Sequence, residues 1–167
     1  MVSATSLSRR INEFLGVTSF ALALLWLIAL TTYDVSDTVW FIKTGGEYPP
    51  TNFFGQVGAF IADISYQTFG YASFLMPVTL VITGWNYFWC RPIDAPYTKL
   101  LGGALLFGTT ASLLSLSFGA LENGGRSFDA GGHFGSLLSQ WLAEYFNKTG
   151  SIIVILTGIF LSIILST

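Results

Sequence analysis

Four stretches of this chain are solidly apolar: residues 14–33, 69–89, 100–118 and 149–166. None contains Asp, Glu, Lys, Arg or His. A helix needs about 20 mostly apolar residues to cross a hydrocarbon core roughly 30 Å thick, so four transmembrane helices are predicted. The first run follows Ser8-Arg9-Arg10, as the apolar core of a signal peptide would. It is too long for one and no small-x-small cleavage site follows, so it reads as a retained anchor.

Between the runs the pattern turns periodic. Over residues 56–68, Val57, Phe60, Ile61 and Ile64 fall on one helical face and Gln56, Asp63 and Gln67 on the other. Over 133–147 the apolar face is Phe134, Leu137, Leu138, Trp141, Leu142, Tyr145 and Phe146, opposite Ser136, Ser139, Gln140 and Glu144. Both predict amphipathic helices. Each is led by two glycines three apart, Gly55 and Gly58, then Gly132 and Gly135. Each meets its following span at a glycine, Gly70 or Gly150. Glycine permits tight turning and close backbone approach, so each helix is expected to lie in the membrane interface and hinge into the bilayer. The expected fold is an all-α membrane protein forming one transmembrane domain over 1–167. It has four spans and two extracytoplasmic interfacial helices, arranged as two similar hairpin halves. Capping the bundle and docking partner proteins are both open as roles for those helices.

Composition agrees. Only 10% of residues are charged, against about 25% in soluble domains, too few to cover a water-facing surface. The net charge of −2 comes with no basic stripe, which argues against nucleic-acid contact by this chain. The single cysteine, Cys90, excludes an internal disulfide and a multi-cysteine metal site. Of the seven Lys and Arg, four lie in two short segments: Arg9 and Arg10 before the first span, Arg91 and Lys99 between the second and third. The two longer loops hold only Lys43, Arg126 and Lys148. The positive-inside rule then predicts both termini cytoplasmic and both long loops outside. Trp40, Trp85, Trp89 and Trp141 fall near the predicted interfaces, as an aromatic belt would.

Candidate chemistry is sparse. Spans free of ionisable groups argue against a proton-coupled carrier, because ion pathways need such groups despite their cost in lipid. Asp63 reads as solvated on a polar helix face and His133 as solvated in a loop. Lys148-Thr149 lacks the preceding glycines of a P-loop. No catalytic, cofactor-binding or metal residue is predicted, and this segment reads as non-enzymatic. Small residues recur every fourth position at Ala104, Gly108 and Ser112, at Ala111, Ser115 and Gly119, and at Gly158 and Ser162. Such rows let helices approach closely in lipid, within the bundle or between copies. Pro77 is expected to kink the second span. The loop over 33–52, with Gly45-Gly46 and Pro49-Pro50, reads as turns.

Four motifs carry a resemblance. They are "YDVSDTVW" (33–40), "NFFGQVGAFIAD" (52–63), "FGYASFLMPVTLVITGW" (69–85) and "GGHFGSLLS" (131–139). Together they resemble the N-terminal four-helix membrane domain of the FtsK/SpoIIIE family of bacterial DNA translocases, with Thr38-Val39 in place of that family's Pro-Ser. The resemblance implies a membrane anchor and septum-docking module in the bacterial cytoplasmic membrane, contacting lipid and other division proteins and coupling chromosome segregation to division. It also implies a separate ATP- and Mg-dependent motor, absent from this chain, through which the whole protein would form a hexamer and hold DNA. The inward-pointing end at Thr167 is expected to mark a fragment. Two other readings stay open: a small permease or enzyme subunit, which needs a polar cavity between spans, and a purely structural anchor that forms homo-oligomers.

Overall fold

The computed structural model describes residues 2–37, 50–91, 94–123 and 126–166. The expectations placed on Trp40, Lys43, Gly45-Gly46 and Pro49 lie outside them. The helices are α1 (Val2–Thr31), α2 (Gly55–Phe69), α3 (Leu75–Phe88), α4 (Pro96–Phe118) and α5 (Gly132–Ser166), with a 3-10 helix, Gly70–Phe74, joining α2 to α3. Four stretches are long and apolar enough to cross a membrane: Ser8–Thr31, Gly55–Phe88, Pro96–Phe118 and Gly132–Ser166. They match the four predicted spans, containing the third and fourth outright, while the first and second stop two residues and one residue short of the predicted ends. The second and fourth also take in the amphipathic segments, with no loop between.

The two halves repeat one plan. In each, a span leads through a loop to a glycine in the left-handed region, Gly55 (φ 62°) or Gly132 (φ 64°). A short helix follows, then a backbone break, then the returning span. The first break is at Gly70, with φ 57° and ψ −136°. The second is not at Gly150. It is at Asn147, three residues earlier, with φ 56° and ψ 172° inside α5. Those angles belong to a region almost confined to glycine, and asparagine is among the few other residues that tolerate positive φ. The Ser151 hydroxyl donates to the Asn147 carbonyl at 2.7 Å and closes part of the broken ladder. Gly150 stays helical, so the hinge role expected of it is wrong. Asn147→Gly is therefore expected to stabilise the chain by about 1 kcal/mol through relief of strain, while Gly150→Ala leaves stability within about 1 kcal/mol. Thermal melts of the two variants check the hinge position.

Pro77 lies inside the second span, in the first turn of α3. A proline there removes few bonds from its own helix. The change from 3-10 to α geometry has already occurred at Phe74 and Leu75.

Close packing runs within each half, α1 against α3 and α4 against α5. Gly16 and Gly84 let α1 and α3 approach: a Cβ on Gly16 would lie 2.7 Å from the Phe88 nitrogen, and one on Gly84 3.0 Å from the Ser19 Cβ. Between α4 and α5, a Cβ on Gly158 would meet the Thr109 methyl at 2.6 Å, and one on Gly102 the Ser166 hydroxyl at 2.6 Å. Ser162 is fully buried. Gly108 faces Phe134 and Leu138. Gly108, Ser112, Gly158 and Ser162 thus lie within the bundle. Ala104 does not: it is exposed. Two residues on from Gly102, it points about 200° away around the helix, off the face α5 covers.

The halves are joined at the end of the bundle where the two loops lie. The Tyr71 amide donates to the Ala130 carbonyl at 2.9 Å. The backbones of Gly70 and Gly132 meet so closely that a side chain on either would strike the other's main chain. Phe69 stacks edge-on against Phe107 of α4 and lies beside Phe134 of α5. A short antiparallel ribbon, β1 (Ala120–Asn123) with β2 (Arg126–Asp129), adds to the joint. The all-α expectation did not include it. Its Phe128 packs against Tyr66 and Tyr71.

Candidate functional site

Two groups of residues at this joined end form built sites. The first ties the 33–37 and 52–63 motifs into a single knot. Asp37, buried, accepts from the Thr51 amide (2.7 Å), the Thr51 hydroxyl (2.9 Å) and the Asn52 amide (3.1 Å). Asn52 donates through Nδ2 to the carbonyls of Ala29 (2.9 Å) and Thr32 (3.2 Å). These belong to the last turn of α1 and the residue after it, where carbonyls have no partner inside the helix. Asn52 Oδ1 accepts from the Phe54 amide at 3.0 Å and so shapes the turn into α2. Gly58 is required because a Cβ there would collide with that oxygen.

Asp63 belongs to the same knot. It was expected to be simply solvated, but it accepts from the Tyr33 hydroxyl at 3.0 Å and from Gln67 at 2.8 Å. Tyr33 stacks on Tyr66 with centroids 4.7 Å apart. Beneath them Ala29, Leu30, Ala62 and Tyr66 form the core cluster, with Trp26 against it. The Trp26 indole donates to Ser65 at 3.2 Å. Beside the knot, Asp34 accepts from the Ser36 hydroxyl and amide, which hold its carboxyl below the usual carboxylate range.

The second group is the start of α5 on α4. A Cβ on Gly131 or Gly135 would strike the Ala111 carbonyl. The packing pair is thus spaced four apart, while Gly132 serves the turn. The buried face of this helix is Gly132, Gly135, Ser136, Ser139 and Leu142. The apolar stripe, Leu137, Trp141 and Tyr145, is exposed. Of the polar face expected to meet water, Ser136 and Ser139 therefore face protein, while Gln140 and Glu144 are exposed and Leu142 of the apolar face is buried. The serines are served locally: Ser139 donates to the Ser136 carbonyl and Gln140 to the Ser136 hydroxyl, each at 3.0 Å. α2 is arranged likewise apart from its buried Tyr66: it buries Gly58, Ala59, Ala62 and Ser65 while Val57 and Ile64 are exposed. Small residues inward and large apolar ones outward suit a helix surrounded by lipid, where close approach drives packing.

A cavity of about 330 Å3 opens between the end of α4, β2 and the start of α5, lined in part by Ser115, Asp129, Ser136, Gln140 and Lys148. A larger groove between α1 and α3 is lined by apolar residues such as Phe20, Leu24, Phe74 and Val81. A permease or enzyme subunit would need a polar cavity there. His133 is exposed. Among the described residues no group of three or more His, Cys, Asp or Glu could hold a metal ion. Sequence reasoning singled out Asp63, Gly58 and Gly132. It missed Asp37 and Asn52 as bonding partners, although both stand in the motifs quoted for the resemblance.

Comparisons with known proteins identify the family of the four-span region. Residues 8–167 match the family described as the 4TM region of DNA translocase FtsK/SpoIIIE. A DNA translocase FtsK of Vibrio vulnificus is 34% identical over 136 residues, covering 77% of this chain and 13% of that protein. One from Shewanella oneidensis is 36% identical over 135 residues, covering 78% of the chain and 14% of that protein. One from Rickettsia prowazekii is 30% identical over 161 residues, covering 93% of the chain and 21% of that protein. The chain thus spans 13% to 21% of the length of these curated relatives. No solved structure matches it.

Proposed function

Because this chain belongs to the 4TM region of the FtsK/SpoIIIE DNA translocases, we propose that it anchors such a translocase at the bacterial division septum and docks there on other division proteins. In this reading the membrane region does no catalysis. ATP, Mg and DNA are handled by a motor elsewhere in the whole protein, and hexamer formation belongs to that motor. The observation that carries the reading is the match over 8–167, together with four apolar stretches whose loop-bearing end is locked by the Asp37–Asn52 knot. A bundle that only held a motor to lipid would not need a buried carboxylate and amide to shape one loop, because each is costly unless fully bonded. A shaped loop is a surface that a partner protein can recognise.

Both termini are placed in the cytoplasm and the joined end outside, following the basic residues at Arg9, Arg10, Arg91 and Lys99. The stripe through Trp141 would then rest at the outer leaflet. With the other four tryptophans replaced by phenylalanine, Trp141 emission is expected to be quenched more by lipids brominated near the headgroup than by lipids brominated at the chain ends. In the protein with its other tryptophans intact, Trp141→Asp should loosen this helix from lipid and lower the total quenching by headgroup-brominated lipids; unchanged quenching would contradict it. Equal quenching by both lipids would place the stripe deeper than the interface.

Septum docking is tested by fusing residues 1–167 to a fluorescent protein in dividing bacteria. A midcell band is expected for the wild type, and uniform membrane label for Asn52→Ala at equal abundance. Uniform label for the wild type would overturn docking by this region. The native reading frame beyond Thr167 is expected to encode a P-loop ATPase, and a stop codon there would remove the translocase role.

A further inference from the structure

The cavity at the joined end is lined by two opposite charges, and among the described residues neither forms an ion pair. Asp129, the last residue of β2, and Lys148, at the start of the returning part of α5, both line it. They do not pair with each other. Among the described residues the ion pair is Arg9 with Glu13, at the other end of α1. The Ser136 hydroxyl accepts from Gln140, which leaves its own proton free to donate, and the Ser115 hydroxyl also lines the space.

The position of the cavity narrows the ligand. α4 has 23 residues, about 35 Å at 1.5 Å per residue, close to the thickness of a hydrocarbon core. Gly119, one residue past its end, is part of the lining. Lys148 begins the neighbouring span. The cavity therefore sits where headgroups lie, and the adjacent Phe118 is exposed. A plain anion placed there would face the Asp129 carboxylate, and a plain cation the Lys148 ammonium. A ligand carrying both charges, held apart by a short linker, meets neither repulsion.

We propose that this cavity binds the headgroup of a phospholipid bearing a primary amine, with phosphate against Lys148 and the serine hydroxyls, and ammonium against Asp129. A quaternary amine keeps its charge but has no N–H to donate, so it forfeits the charge-assisted hydrogen bond to the carboxylate. A lipid whose headgroup is an alcohol offers Asp129 no cation. The site is independent of whether the whole protein docks at a septum.

The experiment is native mass spectrometry of the full chain, released from micelles holding equal amounts of phosphatidylethanolamine, phosphatidylcholine and phosphatidylglycerol. Phosphatidylethanolamine adducts are expected to exceed each of the others by about tenfold, the factor one charge-assisted bond can supply. Asp129→Asn should remove the preference over phosphatidylcholine, and Lys148→Gln should lower retention of all three. Equal retention of the three lipids by wild type overturns the proposal, and this comparison stands even if a variant fails to fold. A further arm adds free phosphoethanolamine. Displacement of the retained lipid supports the headgroup site. Saturable binding of the free compound with no lipid preference would instead assign the cavity to a soluble zwitterion and overturn the lipid proposal.

Discussion

Gly132→Ala is expected to destabilise this protein by more than about 3 kcal/mol, from strain and collision together. The residue has φ 64°, where a side chain is strained whatever the space around it. The added Cβ would lie 2.5 Å from the Gly70 nitrogen, 2.6 Å from the Phe69 nitrogen and 2.6 Å from the Thr68 carbonyl carbon. All three are backbone atoms, so no side chain can rotate aside. Relief requires the start of α5 to move away from the end of α2, which opens the contact that joins the two halves. Gly55→Ala is the control. Gly55 has φ 62° but nothing within 4 Å of its would-be Cβ, so it reports strain alone, about 1–2 kcal/mol. Thermal melts followed by circular dichroism in one detergent compare the two. Equal shifts would mean that the halves are not joined at Gly70 and Gly132.

Asn52→Ala is expected to cost about 2–4 kcal/mol, because it strands one buried and two half-buried groups at once. Asn52 is only 4% exposed. Its loss leaves the carbonyls of Ala29 and Thr32, and the amide of Phe54, without the partner each has now. Alanine also leaves empty the space that forbids a side chain at Gly58. Asn52→Asp separates shape from bonding. It keeps the size but turns acceptor against the two acceptor carbonyls, so it should be at least as damaging as alanine. If Asn52→Asp melts like wild type, the amide is not capping α1. Hydrogen exchange near the end of α1 should quicken in both variants, since a frayed last turn exposes its amides.

The hinge at Asn147 shows how far local reasoning reaches. Gly150 was the natural sequence choice, since glycine costs least where a helix must bend. What decides a bend, however, is where the returning span must start to place Gly158 against Thr109 and Ser162 beside Gly102. That constraint comes from α4, about fifty residues away in the chain. The faces of α2 and α5 carry the same lesson. The periodicity put Leu137, Trp141 and Tyr145 on one side, but it misassigned Leu142, which is buried, and Gln140 and Glu144, which are exposed. It could not say which side faces protein, because in lipid the large apolar side chains need not point inward. Ser136 and Ser139 became the packing face because they are small and can satisfy their hydroxyls locally.

The knot was half legible. Asp37, Asn52, Gly58 and Asp63 all stood within quoted motifs, but nothing along the chain states that a carboxylate at 37 will receive the amides of 51 and 52. Ala104 was placed by spacing alone, with no knowledge of which neighbour covers its face of the helix, and Pro77 with no knowledge of where its helix begins.

The amino-acid sequence by itself determined the number of spans, the charge-free interior and the doubled plan of span, loop, glycine-led helix and returning span. These depend on run length and composition, which are properties of a line, and a bilayer imposes them before any helix meets another. Tertiary structure alone decided which faces turn inward, where the second helix breaks and how the halves join through Gly70 and Gly132. Those outcomes depend on backbone approach between residues far apart in the chain, where a single Cβ is enough to forbid the contact.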